Sequence, residues 1–309
     1  MNSTRRRFMQ WSAMAFAGLA WRPLGALADT AAAQTVALRA GRQVSALGMG
    51  SWRLGQGRHP DAQEIEALRT GIREHMTVID TAEMYGGGAA ERLIGRAIQG
   101  RRDQVYLVSK VLPSNATADG IPEACRASLE RLSVERLDLY LLHWRGGSDL
   151  NEVVPAFEQL KRDGLIRDWG VSNFGLEDMQ QLWQVPDGDR CVANQVLYNL
   201  DERGIEYDLL PWCREHEVAV MAYSPLGSGE LIDDPTLAQI GQRYGVTGPA
   251  VALAWAIRSG QVIAIPESGT PAHIREDAKA LSLSLSEADI RELDHAFPPP
   301  SQHEPLSFR

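Results

Sequence analysis

Lysine is nearly absent from this chain. Only Lys110, Lys161 and Lys279 occur among 31 basic residues, and arginine supplies the rest. Where arginine carries the routine surface charge, each lysine becomes informative. Lys110 closes the apolar run Val105-Tyr106-Leu107-Val108-Ser109, and a lysine in an apolar strand is rarely a core filler. Cysteine is scarce as well: Cys125, Cys191 and Cys213 form no CxxC pair, and an odd number argues against a complete disulfide framework. They read as reduced, partly buried thiols. His59, His75, His216, His273, His295 and His303 are scattered over expected loops and helices, so no metal site is expected and a metal hydrolase is excluded. No block of Lys and Arg follows residue 28, no aromatic-basic interleaving occurs, and the formal net charge is −9, which together exclude nucleic acid as a partner. A G-x-G-x-x-G between strand and helix is also missing, since Gly86-Gly87-Gly88 has the wrong spacing; this counts against a doubly wound dinucleotide fold.

What is present is a rhythm of apolar runs and helical periods. Strands are expected at Ala46–Gly50, Val78–Asp80, Val105–Ser109, Leu137–Leu142, Asp168–Val171, Val192–Gln195, Val218–Tyr223 and Val262–Ile265. Helices are expected near Ala62–Glu74, Ala90–Ile98, Ile121–Leu132, Val153–Asp163, Leu176–Gln184, Leu209–Glu215, Pro235–Tyr244 with Pro249–Arg258, and Ala272–Leu281. Eight strands, each followed by a helix, imply a parallel sheet closed into an α/β (β/α)8 TIM barrel, with side chains filling its interior. A short N-terminal hairpin, Val36 to Val44 with Gly41 at the turn, should plug the floor. The tail from Phe297, with Pro298-Pro299-Pro300, should lie over the mouth.

Chemistry gathers where the strands end. Asp80 and Tyr85 stand in IDTAEMYG, Lys110 closes VYLVSK and His143 closes LYLLHW. An unperturbed tyrosine, with a pKa of ~10, needs help to act as an acid near neutral pH. An ammonium held by a carboxylate should favour the phenolate and lower that pKa, while a neutral histidine orients a carbonyl oxygen. Asp80, Lys110, His143, Asn173, Gln195 and Tyr223 all fall at or just past different strand ends, where barrel enzymes build their sites.

These residues also carry a resemblance. IDTAEMYG, LVSK, LLHW, GVSNF, NQVLYN and YSPL match the motifs of the aldo-keto reductase family in order, from about Val44 to the C-terminus. TAEMY, LLHW and RGIEYDLLPWC are similar to stretches of bacterial members that reduce methylglyoxal and related small carbonyls. The resemblance implies Tyr85 as general acid, tuned by Lys110 and Asp80, with His143 orienting the substrate. It implies a nicotinamide ring stacked on Tyr223, its carboxamide bonded by Ser172, Asn173 and Gln195, and a pyrophosphate wrapped by Ser224, Leu226 and Gly227. The adenosine end would fall to Glu267, Ser268, His273, Glu276 and Asp277. Glu267 stands where related chains carry a lysine for the 2′-phosphate, and a like charge there costs ~1 kcal/mol or more at low solvation, so NAD(H) is expected beside NADP(H). Arg275 is placed to neutralise Glu267. Trp52, Met84 and Trp144 are the expected substrate pocket. The expected activity is reduction of small aldehydes and ketoaldehydes; a nucleotide-binding redox sensor is the alternative, and an intact Asp80–Tyr85–Lys110–His143 set favours the enzyme.

The first residues read as an address. Thr4-Arg5-Arg6-Arg7-Phe8-Met9-Gln10 fits a twin-arginine pattern, Trp11 to Trp21 is too short to span a bilayer, and Ala26-Leu27-Ala28 is an A-x-A cleavage site. Residues 1–28 are thus an expected signal peptide and 29–309 the barrel domain. The implied partner is the twin-arginine export machinery, the destination the periplasm, and no stable membrane anchor remains. Cleavage would remove four arginines and no acid, taking the charge from −9 to −13.

Overall fold

The computed structural model describes residues 34–308, so the expected signal peptide lies outside them. After a hairpin of β1 (Thr35–Leu38) and β2 (Arg42–Ser45) come eight strands: β3 (Gly48–Met49), β4 (Val78–Asp80), β5 (Tyr106–Val111), β6 (Leu137–Leu142), β7 (Ile166–Ser172), β8 (Ala193–Leu197), β9 (Ala219–Tyr223) and β10 (Val262–Ala264). All eight pair in parallel in chain order. A parallel bridge between Leu47 and Ala264, with the Ala264 N–H donating to the Ala46 carbonyl at 2.9 Å, joins the last strand back to the first. The expected barrel is observed. Its first strand is shorter than the Ala46–Gly50 read from sequence, because this seam holds only a few residues in register.

Helices follow the strands: α1 (Asp61–Arg73), α2 (Ala89–Ile98), α3 (Gly120–Leu132), α4 (Leu150–Arg162), α5 (Leu176–Leu182), α6 (Leu209–Glu215), α7 (Pro235–Tyr244), α8 (Gly248–Ile257), α9 (Pro271–Ala278) and α10 (Glu287–Ala296). Their starts follow from local chemistry. Asp149 caps α4 by accepting from the Asn151 N–H, and Asp234 caps α7 ahead of Pro235, whose missing N–H costs nothing there. Helix α8 is buried almost all round. A helix with no polar face must sit inside, and α8 packs against β10 and α7. The last helix, α10, was not expected from the hydrophobic pattern, yet Ser286 and Asp289 form a capping box at its start.

The core runs between sheet and helices. Phe157 and Trp169 stack at 5.5 Å with ring planes 3° apart, and the Trp169 indole N–H donates to the buried Glu158 at 2.7 Å. Each such ring contributes about 2–3 kcal/mol by leaving water. Cys125, Cys191 and Cys213 are all free and buried. Burial pushes the Cys125 and Cys191 thiols up to about 12 and Cys213 higher still.

The strands' N-terminal ends form the floor beneath the hairpin. There Asp138, at the start of β6, accepts from the Leu107 N–H at 3.0 Å and pairs with Arg102 at 2.8 Å and Arg167 at 2.9 Å. Tyr106 lies beside it, with a buried hydroxyl that finds no hydrogen-bond partner among the described residues. These side chains and Arg42 line a cavity of about 440 Å³.

Candidate active site

At the opposite end, the strands' C-terminal ends surround a cavity of about 740 Å³. Asp80 is the last residue of β4 and is buried. Lys110 lies inside β5 rather than at its close, and is fully buried. Its Nζ donates to Asp80 Oδ2 at 2.6 Å, to the Thr81 carbonyl at 2.9 Å and to the Tyr85 hydroxyl oxygen at 3.1 Å. The other Asp80 oxygen accepts from Gln195 Nε2 at 2.7 Å, and the Asp80 carbonyl from Ser51 Oγ at 2.8 Å. Every donor of the ammonium is therefore used, and the carboxylate that holds it is itself held.

Tyr85 reaches Lys110 through a special backbone. Gly86, Gly87 and Gly88 follow it with φ of 56°, 59° and 84°, a left-handed run that glycine alone adopts without strain, and α2 starts directly afterwards. Because the Tyr85 oxygen accepts from Lys110, its own proton is left for the cavity it lines. Here an expectation is corrected. Burial raises the Tyr85 pKa, and the opposing pull of Lys110 does not bring it below the ordinary phenol value. The hydroxyl is thus a loaded proton donor rather than a phenolate. Burial works against the Lys110 charge, but the Asp80 carboxylate and the hydrogen bond accepted by Tyr85 outweigh it and raise the Lys110 pKa above its ordinary value.

His143, just past β6, stands edge-on to the Tyr85 ring with centroids 5.7 Å apart. Burial, then Lys110, lowers its pKa to about 2, so the imidazole is neutral at any ordinary pH. Its buried Nδ1 has no partner among the described residues. Asn173 ties this histidine to the next strands: its Nδ2 donates to the His143 carbonyl at 3.1 Å and its Oδ1 accepts from the Tyr223 hydroxyl at 3.0 Å. Both Asn173 (φ 56°) and Ser224 (φ 48°) are left-handed non-glycine residues immediately after strands β7 and β9. Such positions cost about 1–3 kcal/mol and persist where neighbours fix them. Here the Gln195 carbonyl accepts from the Asn173 N–H at 2.8 Å, and the Ser224 carbonyl accepts from Asn199 at 3.0 Å.

Ser172, Asn173, Gln195, Tyr223, Ser224, Leu226, Gly227 and Glu267 line the cavity, as do Trp52, Met84 and Trp144. Trp52, Met84 and Trp144 are large apolar side chains left exposed, as a pocket wall requires. The loop after β9 suits a phosphate group: Gly227 (φ 62°) and Gly229 (φ 115°) free its backbone to approach one closely. Ser268, His273, Glu276 and Asp277 are not brought to this lining. Ser268 is spent on the turn into α9 through Thr270, Glu276 pairs with Lys279 at 2.8 Å, and Asp277 is buried, its pKa pushed up to about 7 by burial and by Glu276. The expected pairing of Glu267 with Arg275 also gives way. Glu267 accepts from the Arg53 backbone N–H at 2.8 Å and faces Arg58 at 3.7 Å. Arg58, Arg145, Ile232 and Phe308 line the cavity too, and nothing in the periodicity of the sequence marks them. Among the described residues there is no cluster suited to a metal ion.

The aldo/keto reductase family model matches residues 46–297. Methylglyoxal reductase YeaE of Escherichia coli is 46% identical over 260 residues, covering 82% of this chain and 92% of that protein. Glyoxal reductase of Bacillus subtilis is 31% identical over 270 residues, covering 86% and 93%. Among solved structures, an aldo-keto reductase from Klebsiella pneumoniae in complex with NADPH shares 45% identity and superposes with a TM-score of 0.87, covering 90% of this chain and 99% of that one. Relatives aligned over nearly all of their own length, with the Asp80–Lys110–Tyr85 chain at a barrel mouth, leave one place for this protein: it belongs to the aldo/keto reductase family.

Proposed function

We propose that the chain is an NADPH-dependent oxidoreductase that reduces small aldehydes and ketoaldehydes, methylglyoxal among them, to alcohols. The observation that carries this reading is Lys110 Nζ, bridging Asp80 and the Tyr85 oxygen beside a cavity of about 740 Å³ that both of those residues line. The likeness to a methylglyoxal reductase and to NADPH-bound neighbours supports the substrate and cofactor classes. Tyr223, Ser172, Asn173 and Gln195 hold the nicotinamide end, and the Ser224–Gly229 loop the phosphates. The bound nicotinamide supplies a hydride to the carbonyl carbon. Tyr85 gives its proton to the carbonyl oxygen, and the phenolate left behind faces the Lys110 ammonium at 3.1 Å. Neutral His143 orients that oxygen by hydrogen bonding without competing as an acid. Trp52, Met84 and Trp144 wall the substrate and exclude water. Asp277, being buried, is assigned no nucleotide contact.

Pure protein mixed with methylglyoxal and each reduced nicotinamide tests this by the loss of nicotinamide absorbance. Turnover with NADPH is expected. Binding of nucleotide without turnover would leave the sensor reading standing instead.

Residues 1–28 are proposed as a twin-arginine signal peptide that takes the folded enzyme to the periplasm, supported by Arg5-Arg6 and by Ala26-Leu27-Ala28. Among the described residues no helix is long and apolar enough to cross a membrane. Replacing Arg5 and Arg6 together by Lys should strand an uncleaved precursor in the cytoplasm; normal export of that variant would rule the signal out.

A further inference from the structure

The charged side chains around the cavity are not equally occupied. Asp80 is committed to Lys110 and Gln195. Arg145 is committed to Asp178 at 2.9 Å and Gln181 at 3.1 Å. Arg53, Arg58 and Glu267 remain, on the rim where the loop after β3 meets the loop after β10. Glu267 Oε2 accepts the Arg53 backbone N–H at 2.8 Å and so anchors the first loop to the second. Its Oε1 lies 3.7 Å from Arg58 Nη1, close enough for an ion pair and too far for a hydrogen bond. The Arg58 side chain is 55% exposed and makes no hydrogen bond among the described residues. A guanidinium offers five donors in a planar fork that fits a phosphate better than a single distant carboxylate oxygen does.

We propose that Arg58 is the side chain that takes a phosphate group of the bound dinucleotide, with Glu267 as a positioning residue that anchors the loop and keeps the guanidinium at the rim. The assignment rests on the reading that this cavity binds a nicotinamide dinucleotide. A phosphate arriving there meets uncommitted donors, and it competes with Glu267 for a charge that Glu267 holds only loosely.

The test uses the full barrel chain and tryptophan fluorescence quenching by NADPH and by NADH, at low and raised salt. Arg58→Gln should weaken NADPH about tenfold and flatten the salt dependence of binding. Arg58→Lys should recover part of the loss, and Arg275→Gln should change nothing. Loss confined to NADPH assigns the 2′-phosphate, and equal loss for both nucleotides assigns the pyrophosphate; either result supports Arg58. Tight binding by the unmodified chain that survives Arg58→Gln, with the same salt dependence, overturns the assignment alone. Failure of the unmodified chain to bind either nucleotide would instead bring down the reading of the cavity, and this assignment with it.

Discussion

At the mouth of the barrel Asp80 is bonded to Lys110, and at its floor Asp138 is held between Arg102 and Arg167. Each aspartate is buried, each lies near a tyrosine hydroxyl, and each end opens on a cavity. The ends differ in what the cation can do. Arginine does not surrender a proton in proteins, whereas lysine can share one with a neighbour. At the mouth the cation is hydrogen-bonded to Tyr85; at the floor the Tyr106 hydroxyl has no partner among the described residues, and burial, with Asp168 and Asp138, drives its pKa far up. The backbone differs in the same sense. Left-handed residues on the floor side, such as His75 and Ser133, stand where helices end, while Asn173 and Ser224 at the mouth follow strands directly. A buried ion pair alone is structural. It becomes chemical when it is wired to a third group that faces the cavity.

That contrast can be broken at several points. The largest effect should come from Tyr85→Phe, which removes the proton donor together with one of the three acceptors of Lys110 Nζ: kcat should fall by about 10²–10⁴ while NADPH affinity holds. Near-normal kcat in a steady-state assay would put the proton source elsewhere. At the floor, Asp138→Asn should do the reverse. Two arginines lose their counter-charge, stability in urea should drop by about 2 kcal/mol, and turnover per folded molecule should stay within about twofold. A loss of kcat without a loss of stability would mean that the floor takes part in the chemistry.

The third test is pH. His143 titrates near 2 in the folded chain and near 6.5 when unfolded, so below 6.5 the unfolded state binds a proton that the folded state refuses. Stability therefore falls as pH drops from 6.5 toward 2, by at most about 1.4 kcal/mol per pH unit from this group. His143→Asn should flatten the urea midpoint between pH 6.5 and 4.5, and an unchanged slope would show that His143 is already protonated or exposed. The smallest effect is at the rim. Glu267→Gln keeps an acceptor for the Arg53 N–H and removes the charge, so NADPH should bind about threefold tighter, less so in raised salt. Weaker NADPH binding in that variant would mean that the hold of the carboxylate on Arg58 outweighs its repulsion of the phosphate.

The barrel and the strand-end chemistry were legible because apolar period fixes which residues close each strand. Asp80, His143, Asn173 and Tyr223 stand at or just past strand ends, while Lys110 and Gln195 lie inside strands that run on past their expected ends, all in the order the sequence implies. What stayed illegible depends on three-dimensional surroundings. The proton affinity of Tyr85 turns on burial, which no local pattern reports, so the expected lowering came out as a rise. Arg58 sits in an aperiodic loop and meets Glu267 across 209 positions of chain, whereas Arg275 is only a near neighbour in sequence. His273, Glu276 and Asp277 ride on α9, whose start at Pro271 takes them off the cavity lining. Helix α10 was legible after all: Ser286 with Asp289 three residues later is a helix start that a search for hydrophobic period alone passes over.

The three cysteines set a condition on where the barrel can work. Oxidation and thiol exchange need a thiolate that a reagent can reach. Cys125, Cys191 and Cys213 are closed off from solvent and held far from ionising. Moving the folded chain from reducing to oxidising surroundings therefore leaves these three thiols as they are. A folded barrel that crossed from one to the other, as the proposed signal peptide would have it do, would carry the same three thiols.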